Sequence, residues 1–242
     1  MSFTHFWHCL HLSGRKSLFI SLCLLAGFNA TAQNDRMNNP EHDEKPYYFG
    51  ITLGFNSAQY RLNQSKFFTE YDTVKNIKPI WGQGFQLGIM GNLKLSNFVD
   101  VRAIPSFMIR EKALDFTLYN DSVKKNYFES VLFSLPIEFK FKSDRQNNFR
   151  FYVCAGGKFD YDFNSNARSR RLDDVIKVKP VDYGYNVGLG FEFYYPNFIF
   201  SPEIKVSNGM GNSIIRDVGD PTNKAIDRIS TRMIIISFHI EG

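Results

Sequence analysis

Between Leu135 and Phe159 the chain reads LPIEFKFKSDRQNNFRFYVCAGGKF, where Ile137, Phe139 and Phe141 alternate with Glu138, Lys140 and Lys142 before a polar break. On a strand successive side chains point to opposite faces, so this spacing collects the charges on one side and the aromatics on the other; a helix would scatter both. The same period of two recurs along the chain. Gly84 to Leu95 sets Phe85, Leu87, Ile89, Leu93 and Leu95 against Gln86, Gly88, Met90, Asn92 and Lys94. Asp182 to Tyr195 alternates aromatic and aliphatic residues with Asp182, Asn186, Glu192 and three glycines, and Phe198 to Val206 alternates with Ser201, Glu203 and Lys205. Ser230 to Ile240 sets Ile234, Ile236, Phe238 and Ile240 against Met233, Ile235, Ser237 and His239. With Tyr47 to Tyr60, Val99 to Leu118, Tyr127 to Lys142 and Phe149 to Phe163, the pattern predicts eight strands.

Most of these runs reach ten residues or more, whereas strands of soluble proteins cluster near five or six. A tilted strand needs about 9 to 11 residues to cross a bilayer. The connections alternate in length: long and polar around 63–79, 119–126, 164–179 and 208–228, short at Ser96-Asn97, 143–148 and Pro196-Asn197. Brief turns at one end and extended loops at the other are the habit of outer-membrane barrels. The expected fold is therefore all-β, an eight-stranded antiparallel transmembrane β-barrel of the outer-membrane type. Its apolar face would meet lipid and its charged face a narrow lumen, the reverse of a soluble sandwich. Both termini would be periplasmic and the four longer loops extracellular. Gly156, Gly184, Gly188 and Gly190 fall on the lumen side, where space is short; Tyr183, Tyr195 and Phe198 fall near strand ends, where aromatic girdles sit. Pro136 and Pro202 would each mark a bulge, because a closed sheet has no free edge for a missing N–H.

Composition agrees with a barrel. The 242 residues include 25 Phe and 12 Tyr, and hydrophobic content is 43%. Arg15 and Lys16 precede the apolar run SLFISLCLLAGF, too short to span a bilayer, and Ala30-Thr31-Ala32 fits the small-x-small rule. Residues 1–32 are read as a signal peptide cleaved after Ala32, with Ala30 and Ala32 as the cleavage determinants. Residues 33–46, with almost no apolar content and no period, are read as a disordered periplasmic tether, and 47–242 as the barrel. Cleavage removes Cys9, Cys23, His5, His8 and His11, leaving Cys154, His42 and His239, which form no disulfide and no zinc spacing. Net charge falls from +5 to +3, since the lost piece carries Arg15, Lys16 and no acid. That is too mild for a nucleic-acid partner.

Parity places Arg102, Glu138, Lys140, Arg150, Lys158, Asp160, Glu192, Glu203, Lys205 and Arg232 in the lumen, with Asp162 and His239. Both signs in a narrow bore predict pairing that closes it, against the alternative of a charge-lined conduction path. Ser237 and His239 share a face, which invites a nucleophilic pair, but no orienting third residue is signalled; a packed pair is the simpler reading. Asp160 and Asp162 offer calcium oxygens without any loop spacing for that ion, and pairing with Arg168, Arg170 or Arg171 is simpler. Those arginines, with Lys177 and Lys179, form a basic outer loop suited to lipopolysaccharide phosphate or an acidic partner. No catalytic, cofactor or metal motif is present, and no small-molecule substrate is expected.

The phrases GFQLGIMGNLKLSNFVDVRAIPSF, FKSDRQNNFRFYVCAGGKF, FNSNARSR and FYYPNFIFSPEIKVSNG resemble the PorT family of Bacteroidetes from about Tyr48 to the end. The most specific parts are Lys142-Ser143-Asp144-Arg145 with Asn147-Asn148-Phe149-Arg150, and Phe200 to Lys205. The resemblance implies an outer-membrane barrel, not an enzyme, needed by the type IX secretion system for cargo with a C-terminal sorting domain. It implies secretion components as partners, beside lipid and lipopolysaccharide. Two other functions stay open: a passive structural or adhesin-like barrel, and a lipid-modifying barrel enzyme.

Overall fold

The computed structural model describes residues 37–64, 74–118, 123–164, 177–215 and 226–242. The signal-peptide reading of 1–32 lies outside them. The strands are β1 (Tyr47–Gln64), β2 (Val74–Lys94), β3 (Val99–Ala103), β4 (Ser106–Leu118), β5 (Val123–Lys142), β6 (Phe149–Asp162), β7 (Lys177–Val178), β8 (Val181–Tyr194), β9 (Ile199–Gly209), β10 (Ile214–Ile215) and β11 (Ile226–Glu241). All but β7 and β10 lie in one antiparallel sheet in the order β1-β11-β9-β8-β6-β5, then β3 and β4, then β2, which pairs back with β1. Since β3 and β4 are successive parts of one strand, the ring has eight members. The pair β7 and β10 joins two long connections beyond the ring.

Following paired residues once around the ring displaces the row by about ten positions, which corresponds to a strand tilt of roughly 40°. A ring of eight at that tilt leaves an interior that side chains fill.

The faces are sorted as the alternation predicts. Phe49 and Ile89 each keep 64% exposure on the outside, while Arg102, Glu138 and Lys140 are fully buried inside. Burying an ion while exposing a ring to water would be unfavourable on both counts; with hydrocarbon outside, both placements become favourable. Among the described residues no helix is long and apolar enough to cross a membrane. Two inward glycines are required by close approach. A Cβ on Gly156 would collide with the Ile137 carbonyl oxygen, and one on Gly190 would stand 2.5 Å from the Tyr152 ring.

Two expectations are corrected. Pro136 and Pro202 do not make bulges: the pairing of β5 with β6 and of β11 with β9 runs through them without a shift. Pro136 instead lies opposite the gap between β3 and β4, accepting a hydrogen bond from Ile104 N–H, while Pro105 O accepts from Ile89. Two prolines missing their N–H groups on adjacent strands interrupt the ladder there, and the register survives because both flanks are pinned. The shifts occur at Asn63/Gln64, Val74/Asn76 and Trp81/Gly84.

The second correction concerns the tether. Pro40–Glu44 is a 3₁₀ turn, and Asn38 to Pro46 pack against the short-turn end of the ring. Polarity misled the sequence reading, because this segment is held by hydrogen bonds and ion pairs rather than by apolar burial.

Candidate functional site in the barrel interior

The interior is organised along the barrel axis. At the short-turn mouth, Asp43 of the 3₁₀ turn pairs with Arg145 at 2.9 Å and Arg150 at 3.2 Å. Arg145 belongs to the β5–β6 turn, donates to Asn38 O, and lays its guanidinium 3.7 Å from the centre of the Tyr194 ring. Asn38 N–H donates to Asn148 Oδ1 at 2.7 Å, and its side chain donates to Tyr194 O at 3.1 Å. His42 is buried with its ring 4.4 Å from that of Tyr48. That burial lowers its pKa to about 4, so the imidazole is neutral when docked. Just inside, Lys140 pairs with Glu192 and lies 3.6 Å from Glu241, and Lys142 pairs with Asp100 at 2.7 Å. Tyr48 donates to Asp100, and Tyr194 to Glu192.

The centre holds four ionic side chains with almost no solvent exposure. Arg102 bridges Glu138 at 2.8 Å and Glu203 at 2.6 Å, and Lys205 reaches the same two carboxylates at 2.7 and 3.0 Å. Asn186 and Tyr152 donate to Glu138 and Glu203. Removing one member would leave a buried charge uncompensated.

Toward the long-loop end comes an apolar cluster of Ala58, Met108, Leu132, Met233 and Ile235. Beside and beyond it lies another ionic group. Asp160 accepts from Ser134 at 2.6 Å and from Lys158 at 2.7 Å, with Arg110 at 3.8 Å. Lys112 donates to Thr231 and sits 4.2 Å from the centre of the Tyr60 ring. The interior cavity lined by Gln86, Ser106, Asn186, Lys205 and Met233 has a volume of about 10 Å³, the room of a single water.

Of the predicted lumen residues, Arg102, Glu138, Lys140, Arg150, Lys158, Asp160, Glu192, Glu203 and Lys205 are inward and buried. Arg232 is not. It is exposed on the outer face, two residues from Ile234 and therefore of the same parity; the period of two, strictly applied, excludes it from the lumen. Among the described residues Asp160 pairs with Lys158 and Arg110; Arg168, Arg170 and Arg171, the partners expected from the sequence, lie outside the described residues. Asp162 Oδ1 accepts from the Asn164 N–H. Ser237 and His239 make no nucleophilic pair: His239 Nδ1 meets Thr52 Oγ1 at 2.8 Å and Nε2 faces Glu203 at 3.7 Å, so neither nitrogen is directed to Ser237. Ligand atoms of Glu138, Cys154 and Glu203 lie within 4.8 Å of one another. Both carboxylates are already held by Arg102 and Lys205, which would repel an entering cation.

The set of lumen charges read from the sequence omitted Asp100, Arg110, Lys112 and Glu241, all buried inward, as are Lys142 and Asp182, which the alternation places on the charged face. Parity was the available signal: Asp100 lies two residues from Arg102. It gave no signal for Asp43 and Arg145, which lie in a turn and an irregular segment.

A family described as outer membrane protein beta-barrel domain matches residues 31–214. No curated protein matches the sequence. Among solved structures, the outer membrane protein OprG of Pseudomonas aeruginosa is 14% identical, with a TM-score of 0.48, covering 81% of this chain and 94% of its own. Ail, the attachment invasion locus protein of Yersinia pestis, is 12% identical with a TM-score of 0.38, covering 82% of this chain and 100% of its own. Neisserial surface protein A is 12% identical with a TM-score of 0.41, covering 79% of this chain and 96% of its own.

Proposed function

Because the chain belongs to the outer membrane protein beta-barrel domain family, we propose that this outer-membrane barrel serves protein secretion by the type IX system, as a PorT-like component without enzymatic activity. The observation that carries this reading is the closed interior. Paired charges, an apolar cluster and a docked N-terminal segment fill the bore among the described residues, and the cavity beside Lys205 and Met233 holds about 10 Å³. A barrel so filled offers no conduit and works through its surfaces: loops, turns and lipid face. The secretion role is supported by the resemblance quoted above, whose most specific stretch, Lys142 to Arg150, includes the arginines that grip Asp43. In this reading the short-turn end and both termini are periplasmic, the four long connections are extracellular, and the partners are other secretion components, membrane lipid and lipopolysaccharide.

Deleting the gene tests the proposal. Cargo bearing a C-terminal sorting domain should accumulate in the periplasm while the outer membrane stays intact, with secretion restored by the wild-type gene. Normal cargo secretion in the deletion strain would overturn the secretion role and leave a passive structural barrel.

A further inference from the structure

The apolar outer band is not equally tall all round. On β6 and β8 it continues to Phe163 and Val181 at the long-loop end. On β11 it stops at Ile234, and the next outward residue is Arg232; on β1 it stops at Phe55, followed by Ser57, Gln59 and Arg61; on β9 it stops at Val206, followed by Asn208. Register sets Tyr185, Asn208, Arg232 and Gln59 in one row across four strands, with Arg61 opposite Ser230 in the next outward row. Arg61, Arg228, Arg232, Asn63, Asn208 and Tyr185 line a cleft of about 220 Å³ with no carboxylate in its wall among the described residues. Arg228 donates to the Met210 carbonyl, which pins it to the end of β9.

Arginine on a lipid-facing wall is costly at the bilayer midplane and tolerated near the interface. Three of them converge where the band ends early. Each presents a planar fork that suits the oxygens of a phosphate, and a doubly charged phosphomonoester suits such a group better than a singly charged diester. Asn63, Asn208 and Tyr185 add donors and acceptors for sugar hydroxyls. Directly below, Phe55, Ile234 and Val206 provide a surface for acyl chains.

We infer that this cleft binds the phosphomonoester headgroup of an outer-leaflet glycolipid, with the acyl chains lying along β1, β11 and β9. The inference rests on the proposed orientation, which turns the long-loop end outward.

The test uses the full-length mature chain folded in detergent, with lipid A, dephosphorylated lipid A or phosphatidylglycerol added, and native mass spectrometry reading the lipid retained. Wild-type protein should retain lipid A. The Arg61→Gln/Arg232→Gln variant should lower retention about tenfold or more, since charge-assisted contacts are lost. Dephosphorylated lipid A and phosphatidylglycerol should bind as weakly as the variant binds lipid A, and Lys45→Gln, exposed at the short-turn end away from the cleft, should leave retention unchanged. Folding of each variant is checked by its heat-dependent gel shift. If the glutamine variant fails to fold, Arg61→Lys/Arg232→Lys keeps the charges without the forks and should lose part of the retention. Unchanged retention in either folded variant, equal retention of dephosphorylated lipid A or phosphatidylglycerol, or full displacement by inorganic phosphate would overturn the inference. The assay is blind to secretion, so a negative result leaves the secretion role standing, and normal secretion in a deletion strain leaves this site standing.

Discussion

Arg102 and Glu203 meet at 2.6 Å in the middle of the barrel, with neither side chain exposed to solvent. The arginine also holds Glu138, and Lys205 holds both acids from the other side. An ion pair in such a place is maintained because its partners cannot be removed singly. Arg102→Met should destabilise the barrel by about 3–5 kcal/mol, read as urea unfolding in lipid vesicles followed by tryptophan fluorescence. Adding Glu203→Gln to that variant should recover part of the loss. A neutral single variant would show that water, not Arg102, compensates the two acids.

In planar bilayers the purified protein should give no large stable conductance. The bore is blocked in series by the Arg102 cluster and by Met108, Leu132, Met233 and Ile235, so opening one constriction leaves the other. Long-lived open channels from the wild-type chain would refute the closed lumen.

The docked N-terminal segment should loosen on acidification. His42 is neutral when buried and has its pKa lowered to about 4, whereas a solvated imidazole titrates near 6.5. Its contribution to docking is fully present above about 6.5 and is lost as the pH falls toward 4, by at most tenfold per pH unit for one proton. Proteolysis of residues 38–46 across that window measures it. His42→Phe should flatten the dependence; an unchanged acid response would assign it to the carboxylates instead.

Gly190→Ala should destabilise by about 1–3 kcal/mol, because the added Cβ would stand 2.5 Å from the Tyr152 ring. The companion substitution Tyr152→Phe removes the hydroxyl that donates to Glu203 at 2.9 Å and is one of two atoms 2.5 Å from the added Cβ, but it leaves ring carbon Cζ at the same distance, so it should not restore Gly190→Ala to wild-type stability. Rescue would mean that the ring is free to move.

Leu189→Arg, in the middle of the outer band of β8, should cost about 2–4 kcal/mol in a bilayer, and Tyr195→Arg at its short-turn edge about 0–1 kcal/mol. Equal costs, measured by the same vesicle unfolding, would contradict the placement of the band.

Most of the fold was legible because one period governs both faces. From Phe85 to Leu95 and from Tyr183 to Tyr195 the alternation alone separates lipid from lumen. Where the period stops, so does legibility. Arg145 and Asp43 carry the same charges as any solvated turn, and only the folded chain brings them to 2.9 Å across roughly a hundred residues of sequence. Arg232 was assigned to the lumen by parity, but its spacing of two from Ile234 places it outside. Partner choice within the lumen was never in the pattern: parity says that Glu138 and Lys205 face inward, not that they meet, since meeting depends on the shear of the ring.

The N-terminal latch depends on parts of the chain synthesised long after it. Asn38 binds Asn148 and Tyr194, so its seat does not exist until the β5–β6 turn and the end of β8 have been brought round to it. Closure of the mouth therefore requires these distant parts to be in place, and protection of Asn38 to Pro46 serves as a built-in report that the cylinder has been completed.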